Sequence, residues 1–291
     1  MTGFEPATSS SRTRRSTKLS HIPIADKGYP KGIYNQAMLL QGKKGLVLSV
    51  TNDRSIGWAI AEAATKHGAV VGIGVQNDKT RERVEPLVEG RSDYRMFQCD
   101  FMFDDQVEAL VESVKAEFGT IDFFVHSAAY ANKEDLMGQF IDTSEEGFKT
   151  ALTISAYSLV KLARALAPIM NDDGSIVALS YLGSVRAASN YNVMGVAKAA
   201  LESEVRYLAS DLGVRGIRVN TLSPGPINTV AARGVKGLIE MIEHVHERAP
   251  LKRPFGAEEV GGSAVYLLSD LSRGVTGQII FIDNGYNIAG V

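Results

Sequence analysis

The chain has almost no cysteine: Cys99 is the only one among 291 residues. An internal disulfide is therefore excluded, and a cytoplasmic location is the simplest expectation. An excess of either charge is also missing, because 31 lysines and arginines stand against 33 aspartates and glutamates. This balance, without a basic stripe in the body of the chain, gives no reason to expect a nucleic acid partner. No uninterrupted apolar run is long enough to span a bilayer, so no membrane association is predicted.

Residues 1–37 differ in composition from the rest of the chain. They are rich in serine, threonine and arginine and poor in acids, which gives them a faint similarity to organelle transit peptides. No apolar stripe accompanies this composition, so we predict a loosely ordered N-terminal extension. The alternative is extra coding sequence ahead of a natural start at Met38.

Short apolar runs alternate with longer amphipathic runs from residue 45 onward. Strands are predicted over 45–50, 69–75, 94–100, 121–127, 175–180, 217–223 and 278–285. Helices are predicted over 55–68, 79–89, 104–119, 145–170 and 190–212. This alternation predicts an α/β fold, a doubly wound parallel sheet in a Rossmann-like three-layer sandwich. Residues 38–291 would then form a single domain, with ligands bound beyond the carboxyl ends of the strands.

A polar loop follows the first predicted strand. Ser49, Thr51, Asn52 and Ser55 offer hydrogen-bonding groups, and Gly57 lies at the start of the next helix. Free N–H groups at a helix N-terminus attract a pyrophosphate, so this loop is a candidate dinucleotide site. An ordinary strand-to-helix turn explains the same residues equally well.

The ends of strands two and three carry side chains suited to the adenosine half of a dinucleotide. Gln76 can hydrogen-bond a ribose hydroxyl and offers no charge for a 2′-phosphate, which favours NADH over NADPH. Lys79 lies nearby and keeps NADPH open. Asp100 could accept a hydrogen bond from an adenine amino group, although aspartate is also common at a helix start.

Small residues follow the fourth strand, and a rigid turn follows the sixth. The segment HSAAYA, 126–131, would let a cofactor approach the backbone, while His126 itself is expected to be structural. Two prolines and a glycine stiffen the turn that begins at residue 223. The stretch near 227–245 is predicted to form a short helical flap that closes over a ligand.

Two tyrosines and a lysine follow the fifth strand. Tyr191 and Lys198 are seven residues apart, almost two helical turns, so both side chains are expected on one helix face. On one face, the phenol could act as an acid, and the ammonium could be the cation that adjusts the pKa of that acid. Tyr181 lies in the same segment.

Taken with the alternating elements, these motifs resemble the short-chain dehydrogenase/reductase superfamily over residues 40–291. The segment SYLGSVRAASNYNVMGVAKAALE is very similar to the active-site segment of NADH-dependent bacterial enoyl-acyl-carrier-protein reductases. The segments VHS, QNDK and GPINTVAARGVKG match at the corresponding strand ends. The resemblance implies an oxidoreductase that transfers hydride from NADH to the β-carbon of a trans-2-enoyl thioester in fatty acid elongation. The thioester would be carried by acyl carrier protein or coenzyme A.

The resemblance also implies roles for individual residues. Tyr191 would hydrogen-bond the thioester carbonyl, Lys198 would hold the nicotinamide ribose, and Tyr181 would be a second acid or a pocket wall. Cofactor contacts are expected from Ser49, Ser55, Ile56, Gln76, Asp100, Phe101, Ser127, Ala128, Ala129, Lys198, Pro226, Ile227 and Thr229. The substrate or inhibitor pocket is expected to comprise Ala129, Tyr130, Tyr181, Tyr191, Met194 and Ala231. No metal is expected.

Three residues depart from the family pattern. Ser49 and Ala129 stand where relatives have glycine, and Pro224 stands where they often have alanine. The methyl group of Ala129 would narrow the space in which diphenyl-ether inhibitors stack on the nicotinamide. Weak inhibition by triclosan is therefore expected.

Two other functions stay open at this point. A 3-ketoacyl or hydroxysteroid reductase of the same superfamily usually carries NNAG after strand four and a serine thirteen residues before the tyrosine. This chain has HSAA and Ala178 at those places, which favours the enoyl reductase. A non-catalytic dinucleotide sensor is the second alternative, and the intact Tyr191 and Lys198 argue against it.

The resemblance further implies assembly into a homotetramer, or at least a dimer. Relatives pair the helices that correspond to 148–170 and 191–212 between subunits. Val160, Leu201 and Leu208 are the apolar residues expected at these contacts.

Overall fold

The computed structural model describes residues 38–229, 232 and 237–289, all of which belong to a compact unit, Gln36–Val291. The extension predicted over 1–37 lies outside the described residues, as does Ala231 of the predicted pocket. The flap predicted near 227–245 is described only in part.

Seven parallel strands form one sheet in the described part of the chain. They are β1 Lys44–Leu48, β2 Val70–Val75, β3 Tyr94–Gln98, β4 Ile121–His126, β5 Met170–Leu179, β6 Arg218–Pro224 and β7 Ile279–Ile282. Their order across the sheet is β3-β2-β1-β4-β5-β6-β7. The direction of winding reverses between β1 and β4, because the chain first builds outward to β3 and then continues on the other side. The predicted doubly wound, Rossmann-like sheet is confirmed.

Helices cover both faces of this sheet. They are α1 Ile56–Lys66, α2 Asp78–Val88, α3 Asp104–Phe118, α4 Lys133–Leu136, α5 Glu145–Leu152, α6 Ser158–Leu166, α7 Asn192–Leu212, α8 Leu238–Arg248 and α9 Ala257–Leu268. A π-helical turn, Thr153–Tyr157, separates α5 from α6. The single helix predicted over 145–170 is therefore interrupted, and its end is followed directly by β5.

The alternation of side chains along each strand builds two cores. Leu46 and Leu48 of β1 face the core under α3, α6 and α7, while Val47 between them faces the core under α1 and α9. Because both faces are covered, the neighbouring strands β2, β1 and β4 carry apolar residues or glycine at most successive positions, as buried parallel strands do.

One helical run also satisfies the length and composition of a membrane span. The run Glu145–Ile169 passes that test, and 44% of its most apolar window is buried inside the protein. Leu159, Leu162 and Leu166 are fully buried in the sheet core. These contacts explain the apolar character of the run as that of a core helix.

Candidate active site

The carboxyl ends of the strands carry the predicted functional segments. In an open α/β sheet a ligand binds in the crevice at the point where the strand order reverses. That point lies here between β1 and β4. The loops that follow β1, β4, β5 and β6 therefore border one crevice.

The loop after β1 presents the N-terminus of α1. Ser55 caps the helix: its hydroxyl oxygen accepts a hydrogen bond from Trp58 N at 3.2 Å, and its hydroxyl donates to Asn52 O at 2.8 Å. The first turn of α1 carries no acidic side chain, so nothing there repels an anion. Its free N–H groups and positive dipole end fit the pyrophosphate of a dinucleotide. Ile56, a predicted cofactor contact, is the first residue of that turn.

Ser49 adopts a left-handed backbone conformation at the start of this loop. Its φ is 66°, a value that a residue with a Cβ rarely adopts and that glycine adopts freely. The family's preference for glycine at this position therefore has a backbone cause. The chain folds into the same turn with a serine, at a local cost in strain.

Gln76 and Asp100 are hydrogen-bonded to each other at the ends of β2 and β3. The Gln76 amide nitrogen donates to the Asp100 carboxylate at 2.9 Å, and the same carboxylate accepts from Met102 N at 3.0 Å. Phe101 follows, and its carbonyl accepts a hydrogen bond from Lys161. The Asp100 carboxylate beside Gln76 can accept hydrogen bonds from a ribose hydroxyl or from the adenine amino group. Its negative charge would repel a 2′-phosphate.

The loop after β4 is fastened to the sheet and to the π-helical turn. The Ser127 hydroxyl donates to Leu48 O. The Ser155 hydroxyl both accepts from Tyr130 N at 2.9 Å and donates to Tyr130 O at 3.0 Å. Ala128 is buried, whereas Ala129 and Tyr130 are exposed at the crevice end of the strand.

His126 is a structural residue, as expected. Its side chain is fully buried, and Nε2 lies 2.7 Å from the Ser158 hydroxyl oxygen. That hydroxyl donates to Ile154 O at 2.7 Å, so we assign the proton of the contact to Nε2. Burial, with a smaller effect of the Lys198 charge, lowers the pKa of His126 to about 3. The imidazole is therefore neutral at physiological pH and supplies no proton.

Tyr191 and Tyr181 lie against each other. Their ring centroids are 4.8 Å apart in an edge-to-face arrangement, and the Tyr181 hydroxyl donates to the Met241 sulfur of α8 at 3.0 Å. Burial raises the pKa of Tyr181 to about 12. Burial, helped by Tyr181 and Glu202, also raises the pKa of Tyr191 above its ordinary value. Both phenols therefore keep their protons at neutral pH and can donate hydrogen bonds.

Tyr191 is placed differently from the prediction. It is the residue before the first turn of α7, with φ −116°, and so does not lie on a helical face. Its ring is in close contact with Gly183, where an added Cβ would come within 2.6 Å of the ring. The contact with Gly183 therefore helps to fix the position of the Tyr191 side chain.

Lys198 is buried and tied to the end of β5. The ammonium donates to Leu179 O at 2.8 Å, and the side chain is 4% exposed. Burial lowers the pKa of Lys198 to about 8, while the Glu202 carboxylate acts in the opposite direction. A cation and a neutral phenol at one strand end can stabilise negative charge that develops on a bound carbonyl oxygen.

Glu202 was not predicted and is the main addition that the structure makes to the site. It is 4% exposed, and one carboxylate oxygen accepts hydrogen bonds from the hydroxyls of Ser180 at 2.6 Å and Ser184 at 2.7 Å. In the sequence it stands four residues after Lys198, a spacing that usually marks a solvent-exposed ion pair on a helix surface. The pattern alone therefore gave no sign of a buried carboxylate.

The remaining predicted residues lie along the sixth strand end and the helices beside it. Pro226 and Ile227 follow β6, and Thr229 is buried, with its backbone N–H bonded to Ile227 O at 2.8 Å. Met194 is buried in the first turn of α7, and its sulfur lies 3.6 Å from the Ser155 hydroxyl. The part of the predicted flap that the structure describes includes α8, which contributes Met241 to the site.

No cluster of metal-ligating side chains occurs in the described ranges 38–229, 232 and 237–289.

Comparison with known proteins identifies the family. A family profile described as enoyl-(acyl carrier protein) reductase matches residues 50–287. The chain is 47% identical over 255 residues to the NADH enoyl-acyl-carrier-protein reductase FabI of Nostoc sp., covering 87% of this chain and 99% of that protein. It is 46% identical to the enzyme of the same name from Rickettsia typhi, with 87% and 97% covered.

Solved structures agree with the sequence comparison. The enoyl-acyl-carrier-protein reductase of Anaplasma phagocytophilum in complex with NAD superposes with a TM-score of 0.84 at 40% identity, covering 88% of this chain and 97% of that chain. The Bacillus cereus reductase, with NADP+ and an indole naphthyridinone, gives 0.83 at 46% identity, with 87% and 99% covered. With this agreement over more than four fifths of its length, the chain belongs to the enoyl-acyl-carrier-protein reductase family of the short-chain dehydrogenases/reductases.

Proposed function

We propose that the chain is an NADH-dependent enoyl-acyl-carrier-protein reductase. It reduces the carbon–carbon double bond of a trans-2-enoyl thioester in fatty acid elongation, with the acyl group on acyl carrier protein or coenzyme A. The observation that carries this proposal is the neutral Tyr191 phenol, packed against Tyr181, together with the buried Lys198 ammonium, bonded to Leu179 O at the end of β5. Relatives that match 87% of the chain at 46–47% identity are NADH enoyl-acyl-carrier-protein reductases.

Tyr191 acts on the thioester carbonyl. The bound cofactor supplies the hydride that adds to the β-carbon of the substrate. As that bond forms, negative charge grows on the carbonyl oxygen, and the Tyr191 hydroxyl donates a hydrogen bond to it. A donor held there stabilises the transition state more than the ground state, and so it accelerates the reaction. Tyr181, in contact with Tyr191, walls the pocket and offers a second phenol.

Lys198 and the loops after β1 to β4 hold the cofactor. Lys198 would bind the nicotinamide ribose, and the N-terminus of α1, with the loop that contains Ser49 and Ser55, would hold the pyrophosphate. Gln76 and Asp100 bind the adenosine end. The Asp100 carboxylate beside Gln76 would repel a 2′-phosphate bound there, which favours NADH.

The test is consumption of NADH or NADPH with crotonyl-CoA, followed by the absorbance of the nicotinamide. Rapid oxidation of NADH with this substrate is the expected result. Reduction of acetoacetyl-CoA in place of crotonyl-CoA would point to a ketoreductase, and NADH binding without consumption to a sensor. Lys198→Met should lose cofactor affinity and rate together; unchanged affinity and rate would remove Lys198 from the mechanism.

The finer properties of the enzyme follow from the same site. Ala129 should weaken inhibition by triclosan, because this exposed residue after β4 adds a methyl group where the inhibitor ring would lie. The chain should work as a cytoplasmic homotetramer, with 38–291 as its catalytic domain and 1–37 as an extension without a catalytic role. Part of the segment 227–245 should close over the bound substrate.

A further inference from the structure

The buried carboxylate of Glu202 is bonded to the turn that carries Tyr181 and has no role in the mechanism above. Glu202 is 4% exposed on α7, one helical turn beyond Lys198. Burial of a carboxylate is unfavourable unless its charge is compensated by hydrogen bonds or a cation. The groups that compensate Glu202 therefore show what it holds in place.

Those groups lie on both sides of Tyr181. Ser180 and Ser184 donate to the same carboxylate oxygen, at 2.6 and 2.7 Å. Hydrogen bonds to an ionised acceptor are short and strong compared with those between neutral groups. The turn that carries Tyr181 is thus fastened to α7 at both ends, and Tyr181 in turn packs edge-on against Tyr191.

Lys198 forms a third attachment between the same two elements. Its ammonium donates to Leu179 O, the residue directly before Ser180. The titratable groups that act on or respond to its charge among the described residues are Glu202 and His126. His126 is neutral at physiological pH, so Glu202 is the group that favours the charged form of Lys198 against the effect of burial.

We propose that Glu202 is a positioning residue of the reductase: its hydrogen bonds fix the turn that holds Tyr181, and its carboxylate, one helical turn from Lys198 on α7, is the counter-charge to the ammonium that binds the cofactor. This inference rests on the proposed function for its kinetic consequences. Its effect on cofactor binding can be measured without any acyl substrate.

Two variants separate the charge from the hydrogen bonds. Glu202→Gln keeps an oxygen that can accept from both serines and removes the negative charge. The double variant Ser180→Ala, Ser184→Ala keeps the carboxyl group and removes both donors. Glu204→Gln is the matched control, because it makes the same chemical change two residues along α7.

The first measurement is the affinity for NADH from about pH 6 to pH 10, by the fluorescence of the bound nucleotide. In the parent protein, affinity should fall as Lys198 loses its proton. In Glu202→Gln that fall should begin at a lower pH, by roughly one pH unit, because a nearby opposite charge no longer favours the ammonium. Near pH 6 the variant should bind NADH like the parent, a rescue that a merely disturbed fold would not give.

The second measurement is kcat with crotonyl-CoA and saturating NADH. The double serine variant should lose roughly tenfold or more in kcat, because Tyr181 and the neighbouring Tyr191 are less well oriented. Its NADH binding should follow the pH profile of the parent. The control Glu204→Gln should match the parent in both measurements.

The outcomes are distinct from those that test the proposed function. An NADH profile of folded Glu202→Gln that coincides with the parent profile would overturn the role of the charge. A parental kcat in the double serine variant would overturn the role in positioning Tyr181, even if Glu202→Gln did not fold. Failure of the parent itself to reduce crotonyl-CoA would refute the proposed function and leave the binding test of Glu202 intact.

Discussion

At the scale of single residues, the hydroxyl of Tyr191 is the group on which the proposed chemistry depends most. Tyr191→Phe removes that donor and leaves the ring, its contact with Gly183 and its contact with Tyr181 in place. We expect kcat to fall on the order of 10²-fold, the usual loss for one transition-state donor. Steady-state kinetics with crotonyl-CoA measure it, and NADH affinity should not change.

Tyr181→Phe is the control for that experiment. The Tyr181 hydroxyl is engaged with the Met241 sulfur, so its loss should cost less than the loss of the Tyr191 hydroxyl. Full turnover in Tyr191→Phe, together with a severe defect in Tyr181→Phe, would transfer the donor role to Tyr181.

Ala129 gives a prediction about inhibitors. Its side chain is exposed at the crevice end of β4, and one extra methyl group in a closely packed pocket costs about 1–3 kcal/mol. Ala129→Gly should therefore bind triclosan roughly tenfold to a hundredfold more tightly than the parent. Inhibition assays with oxidised cofactor present measure this, and kcat/KM for crotonyl-CoA should stay the same.

Ala131→Gly is the matched variant for this comparison. It removes a methyl group two residues along the same loop and should leave inhibitor affinity unchanged. Equal sensitivity of the parent and Ala129→Gly would show that a shifted loop, and not a steric contact, accommodates the inhibitor.

The sequence was sufficient to predict those site residues whose chemical type is unusual directly after a strand. A tyrosine and a lysine seven residues apart after a strand have few structural explanations; Lys198 bonds to the end of β5, and Tyr191 packs against Tyr181, which follows that strand. Glu202 escaped notice because lysine and glutamate four residues apart are common on helix surfaces. Glu202 is buried because the segment that contains Ser180 packs against α7, and the sequence spacing gives no sign of that packing. Leu201 was placed at a subunit contact by its apolar character, and it is wholly buried in the core.

At the scale of elements, each of the seven strands was predicted, with boundaries that differ by a few residues. The prediction missed α9, Ala257–Leu268, whose two adjacent glycines look like a turn signal. The contact of α9 with α1 explains Gly261, where an added Cβ would come within 2.8 Å of Ala59 O. The two helices approach so closely that only glycine fits at this position. The same glycine weakens the helical pattern in the sequence, and the approach itself is visible only in the tertiary structure.

The π-helical turn between α5 and α6 was also beyond the sequence pattern. The apolar spacing continues through Thr153–Tyr157, so one long helix was expected. The turn presents Ser155 to both backbone groups of Tyr130, and Ser158 follows it to meet His126. π-helical turns often occur at functional sites, and this one fastens the loop after β4, which we propose borders the nicotinamide.

Glu204 makes the stability of α7 depend on pH. One of its carboxylate oxygens is buried and has no hydrogen-bond partner among residues 38–229, 232 and 237–289. Burial raises the pKa of Glu204 from 4.5 to about 7. The folded state therefore binds this proton more tightly than the unfolded state, and the free energy of unfolding falls as pH rises from about 4.5 to about 7.

Glu204→Gln should remove that dependence. We expect a higher midpoint of thermal unfolding than the parent at pH 8, and no gain near pH 4, where both side chains are uncharged. Differential scanning calorimetry at the two pH values measures it. Glu108→Gln, an exposed glutamate of α3, is the control and should give no gain at either pH. An equal gain for Glu204→Gln at both pH values would mean that the effect is not one of charge.

At the scale of the whole molecule, the doubly wound architecture followed from two general rules. Right-handed crossovers and a reversal of winding place β1 and β4 side by side, so a dinucleotide crevice is expected there before any residue is examined. No comparable rule predicts how the subunits associate. Its prediction came from the family resemblance, and the surfaces of the helices α5 to α7 provide the means to test it.

Those surfaces carry large apolar side chains that the chain itself does not cover. Phe148 of α5 is 37% exposed, Tyr157 at the π-helical turn 43%, and Tyr207 of α7 73%. Partly buried Val160 and Leu208 lie on the same helices. Exposed aromatic residues gathered on neighbouring helices are typical of protein interfaces. A homotetramer would bury them between subunits.

Light scattering after size-exclusion chromatography should therefore give a mass four times that of the 31.4 kDa chain. Tyr207→Asp places a charge in the expected contact, which is unfavourable once water is removed, and should shift the mass to that of a smaller species. Val214→Asp makes a similar change at a residue that is 90% exposed just beyond α7, and it should leave the mass of the parent unchanged. A parent protein that elutes as a monomer at micromolar concentration would refute the assembly. A tetramer that survives Tyr207→Asp intact would instead place the interface away from α7.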